Sequence, residues 1–370
     1  KEMKVSDAKQ IPDGPFDILE IYVKGEFVTD AEFALLSQAP RLRNIRLDLD
    51  NHLTSLKPLA GLKELTSLSL AHPSSGTCRE LSEREVAHLA GLTRLKFLDL
   101  RLKESTGEEC EYLRELKSLT SLNVGNVRLS AKGAETIASL TQLKSLSMVI
   151  PDDASEKNLG PIGKLANLEF LALRDSVVTA QSFSVISQLP KLRKLDLSGA
   201  KLDNAGFALI TGSRGTMKVL NVDMSANVSD EGIRNIVANF PNLEEINLSM
   251  GSACTGASIR ELAKLPQLKK MSCWVMKGLK PNDYILFADL PAIEHLSFEG
   301  TAITDEALPA FQKCQHLQTL NLPNNAITDA GLEHLKNILS LRNLKLQGTN
   351  VTDAGLAAFQ QARPVVTVTR

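Results

Sequence analysis

Residues 16–370 read as a right-handed α/β solenoid, a horseshoe or arc with a parallel β-sheet on its concave face and helices on its convex face. A phrase that returns at a fixed interval, and a change of apolar period inside each copy, carry that reading. Leu317-Gln318-Thr319-Leu320-Asn321-Leu322 is followed by Ile327-Thr328-Asp329-Ala330-Gly331-Leu332. The phrase returns 24 residues later (341 − 317 = 24) through Leu341, Leu344, Leu346, Val351, Thr352, Asp353, Ala354, Gly355 and Leu356. That interval is typical of units that bury their apolar faces by stacking on neighbours.

Strand centres are expected at Leu19, Ile45, Leu68, Leu98, Leu122, Leu146, Leu171, Leu195, Leu220, Ile246, Met271, Leu296, Leu320 and Leu344. These make about fourteen repeats, mostly roughly 22 to 26 residues apart, with one step of about 30 from Leu68 to Leu98. In Leu192-Arg193-Lys194-Leu195-Asp196-Leu197, strand alternation points Leu195 and Leu197 inward, and Lys194 and Asp196 outward. The period then turns helical, as in Phe183, Ile186 and Leu189 or Leu332, Leu335 and Ile338. Each unit is therefore a strand, a turn and a helix of about two or three turns. Residues 1–15 form a lead-in or cap, residues 16–370 a single array, and an extra strand closes it near 365–369.

Turn chemistry follows the same register. Asp50, Ser176, Ser225, Thr301, Asn325 and Thr349 stand three residues after the last strand leucine, where short polar side chains satisfy turn backbone. Thr29-Asp30, Ser229-Asp230, Thr304-Asp305, Thr328-Asp329 and Thr352-Asp353 read as helix starts: a hydroxyl cap, then an acid at the positive end of the helix dipole.

The resulting phrase, L-x-x-L-x-L-x-x-[T/N]-x-[I/V]-T-D-x-G-L-x-x-L, resembles the leucine-rich repeat family over nearly the whole chain. It is similar to the ribonuclease-inhibitor-like and cysteine-containing subtypes, and closest in pattern to bacterial proteins with many T-D-A-G-L copies. The resemblance implies a binding scaffold, with partners as varied as the family itself. The chain departs from the cysteine-containing subtype. Most units lack the repeat cysteine, no F-box precedes the array, and Glu32 and Ala307 stand where glycine is expected. An assignment to ubiquitin-ligase adaptors does not follow.

Composition removes several function classes. The net charge of −1 and the lack of a Lys/Arg run argue against nucleic acid or an anionic membrane as partner. No apolar stretch approaches the roughly 18 residues a membrane span needs. The chain begins Lys1-Glu2-Met3, so a leader or anchor is expected to have been trimmed, which leaves the compartment open and favours a secreted or cell-envelope location over the cytoplasm. Cys273 and Cys314 take core positions, whereas Cys78 and Cys110 lie in equivalent excursions of neighbouring repeats and are candidates for a disulfide.

Catalytic motifs are missing: there is no Gly-rich phosphate loop, H-E-x-x-H, paired C-x-x-C or G-x-S-x-G. His295 and Ser297 share a strand face, yet no acid follows to orient the imidazole. No cofactor or metal site is expected. Binding residues are sought instead on the outward strand columns. Phe97 with Arg101 and Phe170 with Arg174 pair an aromatic with a guanidinium on two strands. Lys194, Lys270 and Trp274, the sole tryptophan, complete the candidate set. The lengthened segments 71–81, 104–111 and 149–158 offer a second surface along one rim.

The sequence thus points to a non-catalytic module that binds a protein or peptide through the concave sheet and adjacent loop rim. It is read as a monomer, with self-association through the terminal strand edge possible in principle. The alternative is a structural cell-envelope protein that binds glycan or self-associates. Leu195→Ala, which truncates one rung of the leucine spine, is expected to cost on the order of 2–5 kcal/mol in urea unfolding. A cost below ~1 kcal/mol would remove Leu195 from the core.

Overall fold

The computed structural model describes residues 17–24, 28–48, 53–70, 82–105, 108–151, 156–202, 204–225, 227–249, 253–276 and 278–370. The chain divides into two compact units, Lys1–Gly125 and Asn126–Arg370. Both repeat one coil of α/β solenoid: a short strand, a turn, and a helical segment that returns to the next strand.

In the first unit the strands Glu20–Lys24, Asn44–Asp48, Ser67–Ser69 and Phe97–Ser105 pair in parallel in chain order. Ser121–Val127 spans the boundary. In the second unit Ser145–Val149, Phe170–Ala172, Lys194–Asp196, Val219–Asn221, Glu245–Asn247, Lys270–Ser272, His295–Ser297, Thr319–Asn321, Asn343–Lys345 and Thr367–Thr369 do the same. Registers align the expected centres: Leu146 with Leu171, Leu171 with Leu195, and onward to Leu344 with Val368. These apolar centres are 0–2% exposed from Leu146 to Leu344, so one spine of close packing runs through the second unit.

The first strand corrects the sequence reading. Ile21, not Leu19, stands opposite Ile45, and the Leu19 carbonyl instead accepts the Arg43 N–H at 2.8 Å. Leu19, Ile21 and Val23 share one strand face, so a period of two cannot choose between them.

The helical segments correct it further. Asp30–Ala34, Ala131–Ala138, Ala180–Ile186, Asp230–Asn239, Gly256–Leu262, Asp329–Leu335 and Asp353–Ala362 are α-helical. The other coils return through 3₁₀ turns, among them Lys57–Leu59, Glu83–Leu89, Glu108–Glu115, Gly160–Lys164, Pro281–Asp289 and Asp305–Lys313. Leu53, Leu56, Leu59, Leu62, Leu65 and Leu68 recur every third residue, and each is 0–2% exposed. Val86, Leu89, Leu92, Leu95 and Leu98 repeat the pattern at 0%. A strict period of three matches the three residues per turn of a 3₁₀ helix, keeping the whole row on one side. Pro58, Pro161, Pro281 and Pro309 remove backbone donors within these segments and favour the tighter turn.

The Thr-Asp pairs join coils rather than only starting helices. Thr29, Thr328 and Thr352 do cap their own helices, accepting from Glu32, Ala330 and Gly355 N–H groups respectively. Ser229 and Thr304 make no such bond. The acid reaches the next coil. Asp305 accepts the Thr328 N–H at 2.9 Å and its hydroxyl at 2.5 Å. Asp329 accepts the Thr352 N–H at 2.8 Å and its hydroxyl at 2.7 Å. Asp230 does the same for Thr255, Asp30 for Thr54, and Glu156, itself buried, for Thr179. Asn204 accepts only the Ser229 N–H, at 3.0 Å.

The glycine of T-D-x-G makes room for that carboxylate. A Cβ on Gly331 would sit 2.2 Å from Asp305 Oδ1 and 2.9 Å from Leu308 Cδ1, and one on Gly355 would sit 2.0 Å from Asp329 Oδ1. Where Ala307 replaces the glycine, the preceding Asp283 bonds the N–H of its own Lys280 at 2.8 Å instead. In the last coil, Arg363 is 8% exposed and donates to the carbonyls of Lys336, Ile338, Leu339 and Leu341.

Gly331→Ala should destabilise the protein by about 1–3 kcal/mol, although Gly→Ala within an exposed helix ordinarily stabilises by ~1 kcal/mol. The Gly331→Ala/Asp305→Ala pair should cost less than the two single changes summed, in a double-mutant cycle read by denaturant unfolding. A stabilising Gly331→Ala would contradict the packing account. Acid tests the carboxylates. At Asp30 and Asp329 the Thr54 and Thr352 hydroxyl and N–H bonds hold the carboxyl below its ordinary range. At Asp230 burial pushes the carboxyl up, but bonds from Ser258 and Thr255 outweigh it and the net direction is down. Folded values below the unfolded one mean that this stability is complete above the ordinary carboxylate value of ~3.9 and is lost as pH falls through the folded values. The melting temperature should therefore drop below about pH 4, and Asp230→Asn should flatten that limb. An unchanged slope would refute the assignment.

Candidate functional site

The outward face of the strands is less open than alternation suggests. Asp196, placed outward by the sequence, and Ala172, paired with it in register, are 1% exposed, and Ser69 and Asp99 are 7% and 8% exposed. At the matching position of three successive strands the polar side chain turns back onto its own chain. Asp196 Oδ1 accepts the Ser198 N–H at 3.1 Å, Asn221 the Asp223 N–H at 3.0 Å and Asn247 the Ser249 N–H at 3.1 Å. Each is an Asx turn that closes the strand end, so the chemistry of these three positions is largely spent on shape.

The flanking columns carry the accessible anchors. Lys194 Nζ lies 5.3 Å from the centroid of the Phe170 ring, a cation–π contact between strands paired in register. Arg174, just past the Phe170–Ala172 strand, grips Asp196 through Nε at 2.7 Å and Nη2 at 2.6 Å. Burial raises the Asp196 carboxyl, but the Arg174 and Ser198 bonds outweigh it and hold the group below the ordinary range. Lys270 pairs loosely with Glu245 at 3.9 Å. Trp274 is 41% exposed, and its indole Nε1–H donates to Ser297 Oγ at 3.0 Å. Its backbone N–H is held by Ser249 Oγ, also at 3.0 Å. The ring is thus fixed while much of it faces solvent.

The first unit behaves separately. Phe97 is 38% exposed opposite Ser67, and the Arg101 side chain lies outside the described residues. Arg46 stacks over Tyr22 with 5.2 Å to the centroid, and Tyr22 is 57% exposed. The sequence reading missed this pair because its first strand was centred two residues early.

A second feature lies four residues past seven of the strand centres. Asp175, Gly199, Met224, Val275, Gly300, Asn324 and Gly348 all have φ between 48° and 68°. Their N–H groups extend the ladder beyond the sheet: Asp175 to the Ser198 carbonyl, Gly199 to Asp223, Met224 to Ser249 and Val275 to Glu299. Gly, Asn and Asp suit this left-handed geometry, whereas methionine and β-branched valine are strained in it. Met224 and Val275 are nonetheless 58% and 38% exposed. Sequence alone does not single these two out, because the same column also holds Leu49, Leu102, Ile150 and Met250.

Other expected groups resolve as follows. Cys273 is fully buried and burial drives its thiol well above the ordinary value, while Cys314 is pushed up to about 11 by burial. Cys110 is buried, but Cys78 lies outside the described residues, as do the whole of segment 71–81, residues 106–107 and residues 152–155. His295 is held below its ordinary value by burial and by the Lys270 charge. Among the described residues, no group of three or more His, Cys, Asp or Glu could hold a metal ion, and no helix is long and apolar enough to cross a membrane.

The family models that match the chain agree with the fold. Residues 50–308 match the family model described as "Leucine-rich repeat region", and residues 313–336 match "Leucine Rich repeat". Over 211 residues, 55% of this chain, the sequence is 28% identical to Tsukushi of Gallus gallus, and it spans about half (55%) of that protein's length. Among solved structures, an internalin (inlF) from Listeria monocytogenes aligns over 95% of this chain and 86% of its own, at 17% identity and TM-score 0.39. The Leptospira interrogans LRR protein LIC12759 aligns over 94% and 100%, at 18% identity and TM-score 0.47.

Proposed function

Because the chain belongs to the leucine-rich repeat family, whose fold is generally a non-catalytic recognition scaffold, we propose that it works by binding a protein or peptide. The binding surface is the outward sheet face of the Asn126–Arg370 unit with its adjoining loop rim. One observation carries the reading: the accessible aromatic and cationic side chains are immobilised before any partner arrives. Phe170 sits under Lys194, Arg174 is clamped by Asp196, and Trp274 is pinned by Ser297. Anchors held this way lose little rotamer freedom on binding, so more of their contact energy appears as affinity. The strands beneath them are in register and cannot slip without exposing the leucine spine. The T-D-x-G-L coils support the ribonuclease-inhibitor-like subtype for the region that carries them.

Wild-type protein and a Phe170→Ala/Arg174→Ala variant, immobilised at equal density, should differ in what they retain from an extract of the source cells. The variant is expected to lose about tenfold or more of the specific partner, in line with the truncation of interface anchors. Equal retention of every partner by a folded variant would remove this face from recognition.

A further inference from the structure

Met224, Trp274 and Val275 form an exposed apolar ridge on the loop rim of the second unit. The backbone ties its members together. Met224 N–H donates to the Ser249 carbonyl at 2.9 Å, Trp274 N–H to Ser249 Oγ at 3.0 Å, and Val275 N–H to the Glu299 carbonyl at 3.0 Å. At the other described positions with this left-handed turn stand Asp175, Gly199, Gly300, Asn324 and Gly348, so the turn itself does not require an apolar side chain. Two bulky residues kept exposed and strained do not serve the core.

Carboxylates flank this ridge among the described residues. Asp175 and Asp223 lie on one side and Glu299 on the other, and no ion pair joins any of the three to a described residue. Arg174, next to Asp175 in sequence, is already committed to Asp196. Asp223 Oδ1 is shielded from water and has no hydrogen-bond partner. Burial and the neighbouring Asp196 push its carboxyl up, so a cation placed there would relieve an existing cost.

We propose that this ridge and its carboxylates bind a basic peptide segment carrying an apolar anchor residue. The inference rests on the recognition reading above and gives the partner its chemistry. The anchor packs against Trp274, Met224 and Val275, while flanking Lys or Arg side chains meet Asp175, Asp223 and Glu299. Five coil steps of ~4.8 Å separate Asp175 from Glu299, about 24 Å, which an extended segment of about seven residues would span. The protein's net charge of −1 gives it no general attraction for polycations, so such binding depends on a local acidic patch.

Trp274 is the sole tryptophan, so its emission reports on the ridge directly. Full-length protein is titrated with a tryptophan-free peptide of alternating Lys and Leu, and with Glu–Leu and Ser–Leu peptides of equal length. The Lys–Leu peptide should shift Trp274 emission saturably and bind about tenfold more weakly when NaCl rises from about 0.05 to 0.5 M. Asp223→Asn/Glu299→Gln, folded by circular dichroism, should weaken it about tenfold at low salt. Equal response to the Glu–Leu or Ser–Leu peptide, absence of saturable binding by Lys–Leu, or indifference to both salt and the double substitution would each overturn the proposal. The recognition reading fails separately. If Phe170→Ala/Arg174→Ala retains every partner while the Lys–Leu titration still depends on Asp223 and Glu299, the sheet face falls and the ridge stands.

Discussion

The second unit depends on one hydrogen-bond arrangement: a carboxylate or amide at the start of one helix accepts the N–H that opens the next. Every coil has a helix start whose first donors find no partner within the helix. In an isolated protein helix a local hydroxyl would satisfy them. Here Glu156, Asn204, Asp230, Asp305 and Asp329 reach across to Thr179, Ser229, Thr255, Thr328 and Thr352. The leucine spine supplies most of the burial, but it is non-directional and tolerates small slides. The carboxylate contacts do not, since they fix how far each helical return advances over the last. The outward anchors inherit their spacing from that advance.

The spine was legible because its chemistry is local and periodic. Leu195, Leu220 and Leu320 announce themselves by spacing alone, and the registers agree. The 3₁₀ returns were legible in principle, since Leu53, Leu56, Leu59, Leu62 and Leu65 repeat every third residue without drift. An α-helical period of 3.6 would have drifted off the row, and the difference emerges only over four or five repeats of the motif. The Thr-Asp pairs were legible as helix starts and illegible as inter-coil links. Sequence shows that Asp329 follows Thr328, but not that its carboxylate faces Thr352 across the stack.

The candidate anchors divide in the same way. Phe170, Arg174, Lys194 and Trp274 stand where strand alternation predicts, because strand geometry determines them. Asp196 does not, since its side chain folds back onto the Ser198 N–H and takes Arg174 with it. The rim was the least readable part. That Met224 and Val275 are strained depends on a left-handed turn four residues past their strand centres, which sequence does not reveal because the same column also holds Ile150 and Met250.

The links in the second unit run one way along the chain, because the acid stands on one coil and the helix start it serves on the next. Parting two adjacent coils therefore does unequal harm. The downstream piece keeps its hydroxyl but loses the acceptor that had lain across its first turn. The upstream piece retains an intact opening and merely gains a carboxylate facing water, which is where an ionised carboxylate is most stable. Breathing that starts at a break should accordingly spread toward higher residue numbers, so the stack has a grain, as timber does, and splits more readily along one direction than the other.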